Sequence, residues 1–463
     1  MNIEVKRKFI GDRRFYRMLI AICLPIILQQ FVTSLVGLLD NIMVGRIGND
    51  EMIGVSLANQ LIFIFNLAIF GSLSGAAIYA TQYYGAQQKE GYQETFRFKW
   101  LIVLVISLVF MAVFFFFKEG LISAFINSSE EDYSNPAKVL ESGKLYLDLM
   151  LIGLLPFAIK EIYATSLREM KETLVPMISG VIAIFINLIL NYILIFGHLG
   201  APKMGVSGAA IATIISRFVE MIIVIVYTHV KRKKFSFLND VYKRPIVRFS
   251  SIKKFILKTF LLLSNETLWS IGLTMIMQAY SVRGLDVIGA LNIANTVNNV
   301  FIVVGTSLGN ATAIILGNLI GAQEFAEAKS ASYKILFSSI VVTAIFSLFE
   351  VLVGFFVPDI YNTSPEIKAL AFKFIIICSI FRVPNSFNTC AYFTLRAGGK
   401  ILLTMLFDSL FIWLVRVPAS FILSYLTGVS ILWLYIIVEG LEASKAIVGY
   451  ILVDKGIWLN QII

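Results

Sequence analysis

Residues 98–117 read FKWLIVLVISLVFMAVFFFF, and residues 174–196 read LVPMISGVIAIFINLILNYILIF. Each is close to the roughly 20 apolar residues that an α-helix needs to cross a hydrocarbon core about 30 Å thick. Stretches like these recur from one end of the 463 residues to the other, and the chain is 58% hydrophobic but only 15% charged. Soluble domains carry about 25% charged residues, so this mixture cannot supply a water-facing surface. No segment remains for a large soluble domain. The alternating pattern of an outer-membrane barrel is absent too, which leaves helices to satisfy the backbone in lipid. The expected fold class is an all-α polytopic membrane protein.

Twelve spans are predicted, at about 16–40, 52–77, 98–120, 143–164, 174–197, 206–229, 256–280, 287–318, 334–357, 367–393, 401–426 and 431–453. Lys and Arg distribute as 26 on the side holding both termini and 8 on the other, with 5 inside spans. The positive-inside rule then places both termini in the cytoplasm. Ten of the 26 fall in a linker from Lys231 to Lys258, read as a solvated, lipid-facing loop rather than a nucleic-acid patch. Basic residues precede a first apolar run that continues as a full span without a small-residue cleavage site, so insertion is expected through the first helix itself.

The chain also repeats. A shift of 236 positions aligns Ala58-Asn59 with Ala294-Asn295 and Gly85-Ala86-Gln87 with Gly321-Ala322-Gln323. A shift of 228 aligns Pro156 with Pro384 and Leu167-Arg168 with Leu395-Arg396. Six spans per half keep the two halves in one orientation, which predicts two pseudo-symmetric six-helix lobes related by an axis along the membrane normal. The expected division is an N-lobe over 1–230, a basic linker over 231–255 and a C-lobe over 256–463.

Chemistry in the usual enzymatic sense finds little support. Gly398-Gly399-Lys400 lacks the upstream glycine and the following Ser or Thr of a phosphate-binding loop. No nucleophile, base and oxyanion set stands out, and no enzyme activity or cofactor is expected. Cys23, Cys378 and Cys390 lie in apolar segments at spacings of neither a metal site nor a disulfide framework. His198 and His229 fall at predicted helix ends and read as interfacial.

Transport remains, and it directs attention to ionisable groups in the bilayer, each costing about 2.5–3.5 kcal/mol at helix centre on insertion scales. Asp40 shares a face of the first helix with Pro25, Gln29, Thr33 and Gly37. Such a carboxylate takes up a proton or holds Na⁺; a hydrated aspartate at the helix end is the competing reading. Asn187 and Asn191, one turn apart, offer amide oxygens to a hard cation or a hydrogen bond to the acid, or else pack helices. Glu266, beside Asn265 and Trp269, suits an organic cation through charge and ring face together. Asn292, Asn295 and Asn299, and Asn385, Asn388 and Thr389, form two further polar faces read as cavity lining or packing. Arg217 and Glu220 have the spacing of a local ion pair, and Asp408, Arg416, Glu439, Glu442 and Lys445 read as mainly structural.

At these residues the chain resembles the multidrug and toxic compound extrusion (MATE) family. The resemblance rests on LDNIMVGRIG at 39–48, ATQYYGAQ at 80–87, NLILNYILIFG at 187–197, GVSGAAIAT at 205–213, NETLW at 265–269 and LRAGG at 395–399. It implies two six-helix lobes that exchange a drug-like, often cationic solute for H⁺ or Na⁺. By resemblance, Asp40, Asn187, Asn191 and Thr213 match the N-lobe cation site, and Glu266 matches a helix-seven acid of one bacterial branch. That branch carries an acid in helix ten where this chain has Asn385 and Asn388, so coupling is expected in the N-lobe, with Asp40, Asn187 and Asn191 as the ligands where the ion is Na⁺. Solute is expected at Glu266, Trp269, Asn295, Asn299, Asn385 and Asn388. A monomer in the bacterial cytoplasmic membrane, with a small organic solute and lipid as partners and no nucleic acid, completes the expectation. The alternatives are a flippase for lipids or lipid-linked saccharides, and a passive channel or non-transporting scaffold.

Overall fold

The computed structural model describes residues 9–124, 135–235, 241–242, 247–361 and 363–463, with the side chains at 35–42, 45, 49, 250 and 285 outside the described set. Among the described residues there is no strand. Twelve long helices follow one another: α1 (Arg13–Gly45), α2 (Asn49–Gly85), α3 (Lys89–Ser123), α4 (Pro136–Glu169), α5 (Leu174–Phe196), α6 (Val206–Val230), α7 (Phe249–Ser281), α8 (Leu285–Gly321), α9 (Phe325–Gly354), α10 (Pro365–Ala397), α11 (Ile401–Leu426) and α12 (Ile431–Asp454). They coincide one for one with the predicted spans. Several run longer, because hydropathy sees only the part inside hydrocarbon. The 37 residues of α2 extend about 55 Å at 1.5 Å per residue, well beyond the core thickness.

Nine stretches among the described residues are long and apolar enough to cross a membrane by length and composition. The other long helices, α4, α10 and α12, carry charges that find partners inside the protein, as apolar surroundings demand. Lys160 of α4 pairs with Glu161 and with Glu220 of α6, Arg382 of α10 with Glu350 of α9, and Glu442 and Lys445 of α12 with each other at 2.5 Å.

The internal repeat is visible in the elements. α2 and α8 are the same length, and both their ends are displaced by the same 236 positions. Just past those ends, the equivalent residues Gln87 and Gln323 both take left-handed backbone, with φ of 57° and 62°. α4 and α10 each begin with a proline in the first turn behind a side-chain cap, Asn135 and Ser364 respectively. A missing N–H costs nothing at that position. Each also carries an interior proline, Pro156 and Pro384.

The chain forms two compact units: one takes the residues up to Ile27, Ile78–Gln88 and Phe260–Ile463, the other Leu28–Ala77 and Lys89–Thr259. In the first, Leu19, Ile22 and Ile26 of α1 join a core with Leu308 and Ile315 of α8, Ile335 of α9 and Leu395 of α10. In the second, Phe65 of α2 meets Phe110 of α3 and Phe157 of α4 edge-on or tilted, at centroid distances of 5.6 and 6.2 Å. The start of α7 belongs to this second unit: Ser251 donates to Glu94 at 2.7 Å, and Phe255 packs on Phe98.

One departure from a plain span occurs in α11, which widens into π-helix over Leu406–Leu410 and Ile412–Arg416. Pro418 follows directly in the next α-helical turn. A proline ring crowds the carbonyl four residues back and removes a donor, and π turns relieve both.

Candidate functional site

The predicted site residues fall mainly in two of the polar clusters of the helix interior, one in each unit. In the second unit, Gly208 of α6 lies against the backbone of Leu194 on α5, where a Cβ would come within 2.7 Å of its carbonyl. That close approach brings Thr213 within reach of α5. Asn187 Nδ2 donates to Thr213 Oγ1 at 3.2 Å, and Asn191 Nδ2 donates to Asn187 Oδ1 at 3.2 Å. Thr213 Oγ1 in turn donates to the Ala209 carbonyl at 3.0 Å. Both asparagines are buried. The one-turn spacing of Asn187 and Asn191 therefore makes an amide ladder, with no formal charge in the triad.

Asp40 lies on α1, and its side chain falls outside the described residues. Of the stripe it was read with, Gln29 is turned toward α4 and α5. Its Oε1 accepts from Arg168 at 3.2 Å, and its amide lies beside Gly180. Thr33 donates back to the Gln29 carbonyl at 2.8 Å.

The first unit holds a charged network. Tyr392 of α10 donates to Glu266 Oε1 at 3.3 Å, and Arg396 stands 3.8 Å from the same oxygen. Asn265 Nδ2 reaches both the Tyr392 hydroxyl at 3.2 Å and Asp408 Oδ2 at 3.1 Å. Ser409, next to Asp408 on the π turn, donates to Asn265 Oδ1 at 2.6 Å and so holds that amide in place. Lys445 Nζ lies 3.8 Å from Asp408 and 2.5 Å from Glu442. Arg416 then bridges Glu442 at 3.3 Å and Glu439 at 2.6 Å. Four carboxylates face three cations along this chain of contacts, so one acid is formally in excess.

The remaining predicted positions divide. Asn385 donates to Glu439 at 3.5 Å and Asn388 to the Glu442 carbonyl at 2.8 Å. Their amide oxygens are buried and accept no hydrogen bond among the described residues. Trp269 packs against the apolar core of the unit, while its neighbour Leu268 lends a carbonyl to Trp413 at 2.9 Å. Asn295 is half-buried and Asn299 exposed on α8, and among the described residues neither hydrogen-bonds to the network. Their neighbour Asn298 instead accepts from Arg382 at 2.7 Å, beside the pair that Arg382 forms with the fully buried Glu350.

From the sequence, Asp408, Arg416, Glu439, Glu442 and Lys445 are expected to be mainly structural and Tyr392 and Arg396 do not stand out; the structure joins all seven to Glu266 in one network. A signal was present: Glu439, Glu442 and Lys445 recur every three residues and so share a helix face. The predicted Arg217–Glu220 pair does not form. Arg217 donates to the Gly153 carbonyl at 3.1 Å and lies over the Phe157 ring, while Glu220 faces Lys160 at 3.5 Å. Spacing along one helix cannot show that a neighbouring helix offers a better partner.

The MatE family profile matches residues 25–193 and 261–426, two segments whose starts are 236 positions apart. A probable multidrug resistance protein NorM of Haemophilus ducreyi is 25% identical over 419 residues, covering 88% of this chain and 86% of the relative. The probable NorM of Thermotoga maritima is 24% identical over 414 residues, covering 88% and 85%. Bacillus subtilis YoeA, a probable multidrug resistance protein, is 24% identical over 425 residues, covering 89% and 88%. Among solved structures, an outward-facing MATE family transporter of the MOP superfamily superposes with a TM-score of 0.84 at 18% identity, covering 98% of both chains. A MOP superfamily transporter from Pyrococcus furiosus does so at 0.82 and 18%, again over 98% of both. The chain therefore belongs to the MatE family of multidrug and toxic compound extrusion transporters, all-α membrane proteins built as two lobes.

Proposed function

We propose that this protein is a secondary active antiporter that exports drug-like, cationic or amphipathic solutes in exchange for H⁺ or Na⁺. The observation that carries the reading is the excess of carboxylate over cation in the network from Glu266 to Glu439. Buried charge is kept in a membrane helix when it serves a path for ions or substrate. Glu266 stands at one end of that network, three positions before Trp269 on the same helix, and suits the solute together with it, with Asn295, Asn299, Asn385 and Asn388 as further lining. Coupling is assigned to Asp40 with Asn187, Asn191 and Thr213. Their amide and hydroxyl oxygens fit Na⁺ as readily as they fit a hydrogen bond to a protonated acid.

The working arrangement is an N-lobe over 1–230, a linker over 231–255 and a C-lobe over 256–463. It would sit as a monomer in a bacterial cytoplasmic membrane with both termini inside. An ion at Asp40 and a solute at Glu266 then compete for overlapping or coupled conformations, so that binding of one disfavours binding of the other. Charge sets a limit. Exchange of one external H⁺ or Na⁺ for one internal monovalent cation moves no net charge, so the membrane potential does no work. A tenfold ion gradient then supplies about 1.4 kcal/mol, enough for a tenfold solute ratio.

The test is efflux of a cationic dye from proteoliposomes with pH and sodium gradients imposed separately, recorded together with current. Uphill export that collapses with an ionophore is the expected result, and it removes the passive-channel and scaffold alternatives. Undiminished gradient-driven export by Asp40→Asn would remove Asp40 as the coupling site.

A further inference from the structure

The chain does not leave the molecule after α12. Gly456, with φ of 67°, reverses the backbone, a left-handed conformation that glycine adopts at least cost. Trp458 is then fully buried. Its indole Nε1 donates to the Val453 carbonyl at 3.0 Å, and its backbone lies so close to Gly398 that a Cβ there would overlap it. The residues beyond it reach the ends of α2 and α8. The Ile462 amide donates to Gln82 Oε1 at 2.9 Å, and Gln82 Nε2 donates to the carbonyls of Ala397 at 2.9 Å and Asn460 at 3.3 Å. Gln461 Nε2 donates to the Gly321 carbonyl at 2.9 Å, and its Oε1 accepts from Gln323 at 2.9 Å.

These contacts cap a helix crossing that obeys the internal repeat. A Cβ on Gly85 would collide with the Asn318 backbone, and one on Gly321 with the Gln82 backbone. Positions 82 and 318, like 85 and 321, are related by the 236 shift, so the crossing is reciprocal. Symmetry breaks in the side chains. Asn318 donates within its own helix, to the Ile314 carbonyl at 2.7 Å, whereas the fully buried Gln82 commits its amide to Ala397 and the tail.

We propose that residues Trp458–Ile462 form a clasp that holds the equivalent ends of α2 and α8 together and has to detach before the protein opens on that face. The inference rests on the alternating-access reading above, in which one helix from each repeat must part to admit solute. The Lys/Arg bias assigns that face to the cytoplasm. The clasp raises the free energy of the parted state by the contacts it loses there, and it acts without touching ion or solute.

Two measurements decide the matter. Spin labels at Gln88→Cys and Glu324→Cys, both exposed positions in the first unit, report the separation of the α2 and α8 ends in proteoliposomes, with the three native cysteines replaced by alanine. Gln461→Ala, and a chain ending at Gly456, are expected to raise the population of the long distance about tenfold. The point substitution keeps Trp458 buried and guards against loss of fold in the shortened chain. Separately, Gln323→Cys and Gln461→Cys joined by a short reducible linker should cut dye export about tenfold or more, with recovery on reduction. Unchanged distances without the clasp, or full export with the linker in place, would overturn the proposal. A clasp-dependent distance in a protein that never drives dye uphill would uphold the clasp and sink the antiport reading.

Discussion

The triad on α5 and α6 and the network on α7, α10, α11 and α12 belong to opposite halves of one internal repeat, yet the first is neutral and the second heavily charged. Asn187, Asn191 and Thr213 are joined by two hydrogen bonds among uncharged groups. The counterpart region joins carboxylates to Arg396, Lys445 and Arg416. Under the 228 shift Asn187 and Asn191 fall opposite Val415 and Ala419, both unsuited to ion chemistry. One inserted residue, which is what a π turn accommodates, moves the register onto Arg416 and Ser420. Arg416 closes the π segment and bridges Glu439 and Glu442. A duplicated scaffold thus carries an uncharged cluster at one position and a charged one at its counterpart, and a one-residue change of register puts Arg416 and Ser420 among the buried side chains.

If charge in the C-terminal half is dispensable, the two clusters differ in composition alone. Glu442→Ala leaves Arg416 and Lys445 each short of a partner. Removing one member of a buried pair costs about 3–5 kcal/mol, so a large drop in thermal stability in detergent is expected. A loss no greater than that of Asn191→Ala would show the network to be solvated.

Next in size is Asp40→Asn, which tests whether the neutral triad works with an acid on α1. Coupling free energies of about 1–3 kcal/mol correspond to a 5–150-fold change. Gradient-driven export should fall within that range while the melting temperature stays near that of the parent. A double-mutant cycle on Asp408→Asn and Lys445→Met sharpens the contrast further. Groups sharing one network couple by about 0.5–3 kcal/mol, and additive losses would mean that the 3.8 Å approach of Asp408 to Lys445 carries no energy. The smallest effect belongs to the triad itself. Asn191→Ala removes a neutral hydrogen bond worth about 0.5–1.5 kcal/mol, and it should leave binding of a cationic dye at equilibrium unaltered.

Much of the fold was legible because the bilayer imposes local requirements. The twelve spans and the pairing of α2 with α8 follow from length, hydropathy and a shift of 236, and α4 was found despite Lys160 and Glu161 because its apolar residues still outnumber its charges. The π turns of α11 were not legible, although Pro418 marks their downstream edge. The candidate residues fared according to how local their partners are. Asn187 and Asn191, one turn apart, were read as a pair and are hydrogen-bonded. Arg217 and Glu220 were also read as a pair, but their partners lie on α4. Asp408 reads as mainly structural from the sequence, and its contacts with Asn265 and Lys445 are not legible there because both lie far away along the chain.

By itself the sequence determined that this is a helical membrane protein with a duplicated six-span unit, since hydrocarbon thickness and the need to satisfy every backbone group act on each segment separately. Only the tertiary structure decided which charges neutralise one another and where the last residues go. Glu266 meets Tyr392, and Gln82 meets Ile462 across 380 positions. Electrostatic and hydrogen-bond energies depend on ångström separations between groups that chain connectivity leaves free to be anywhere.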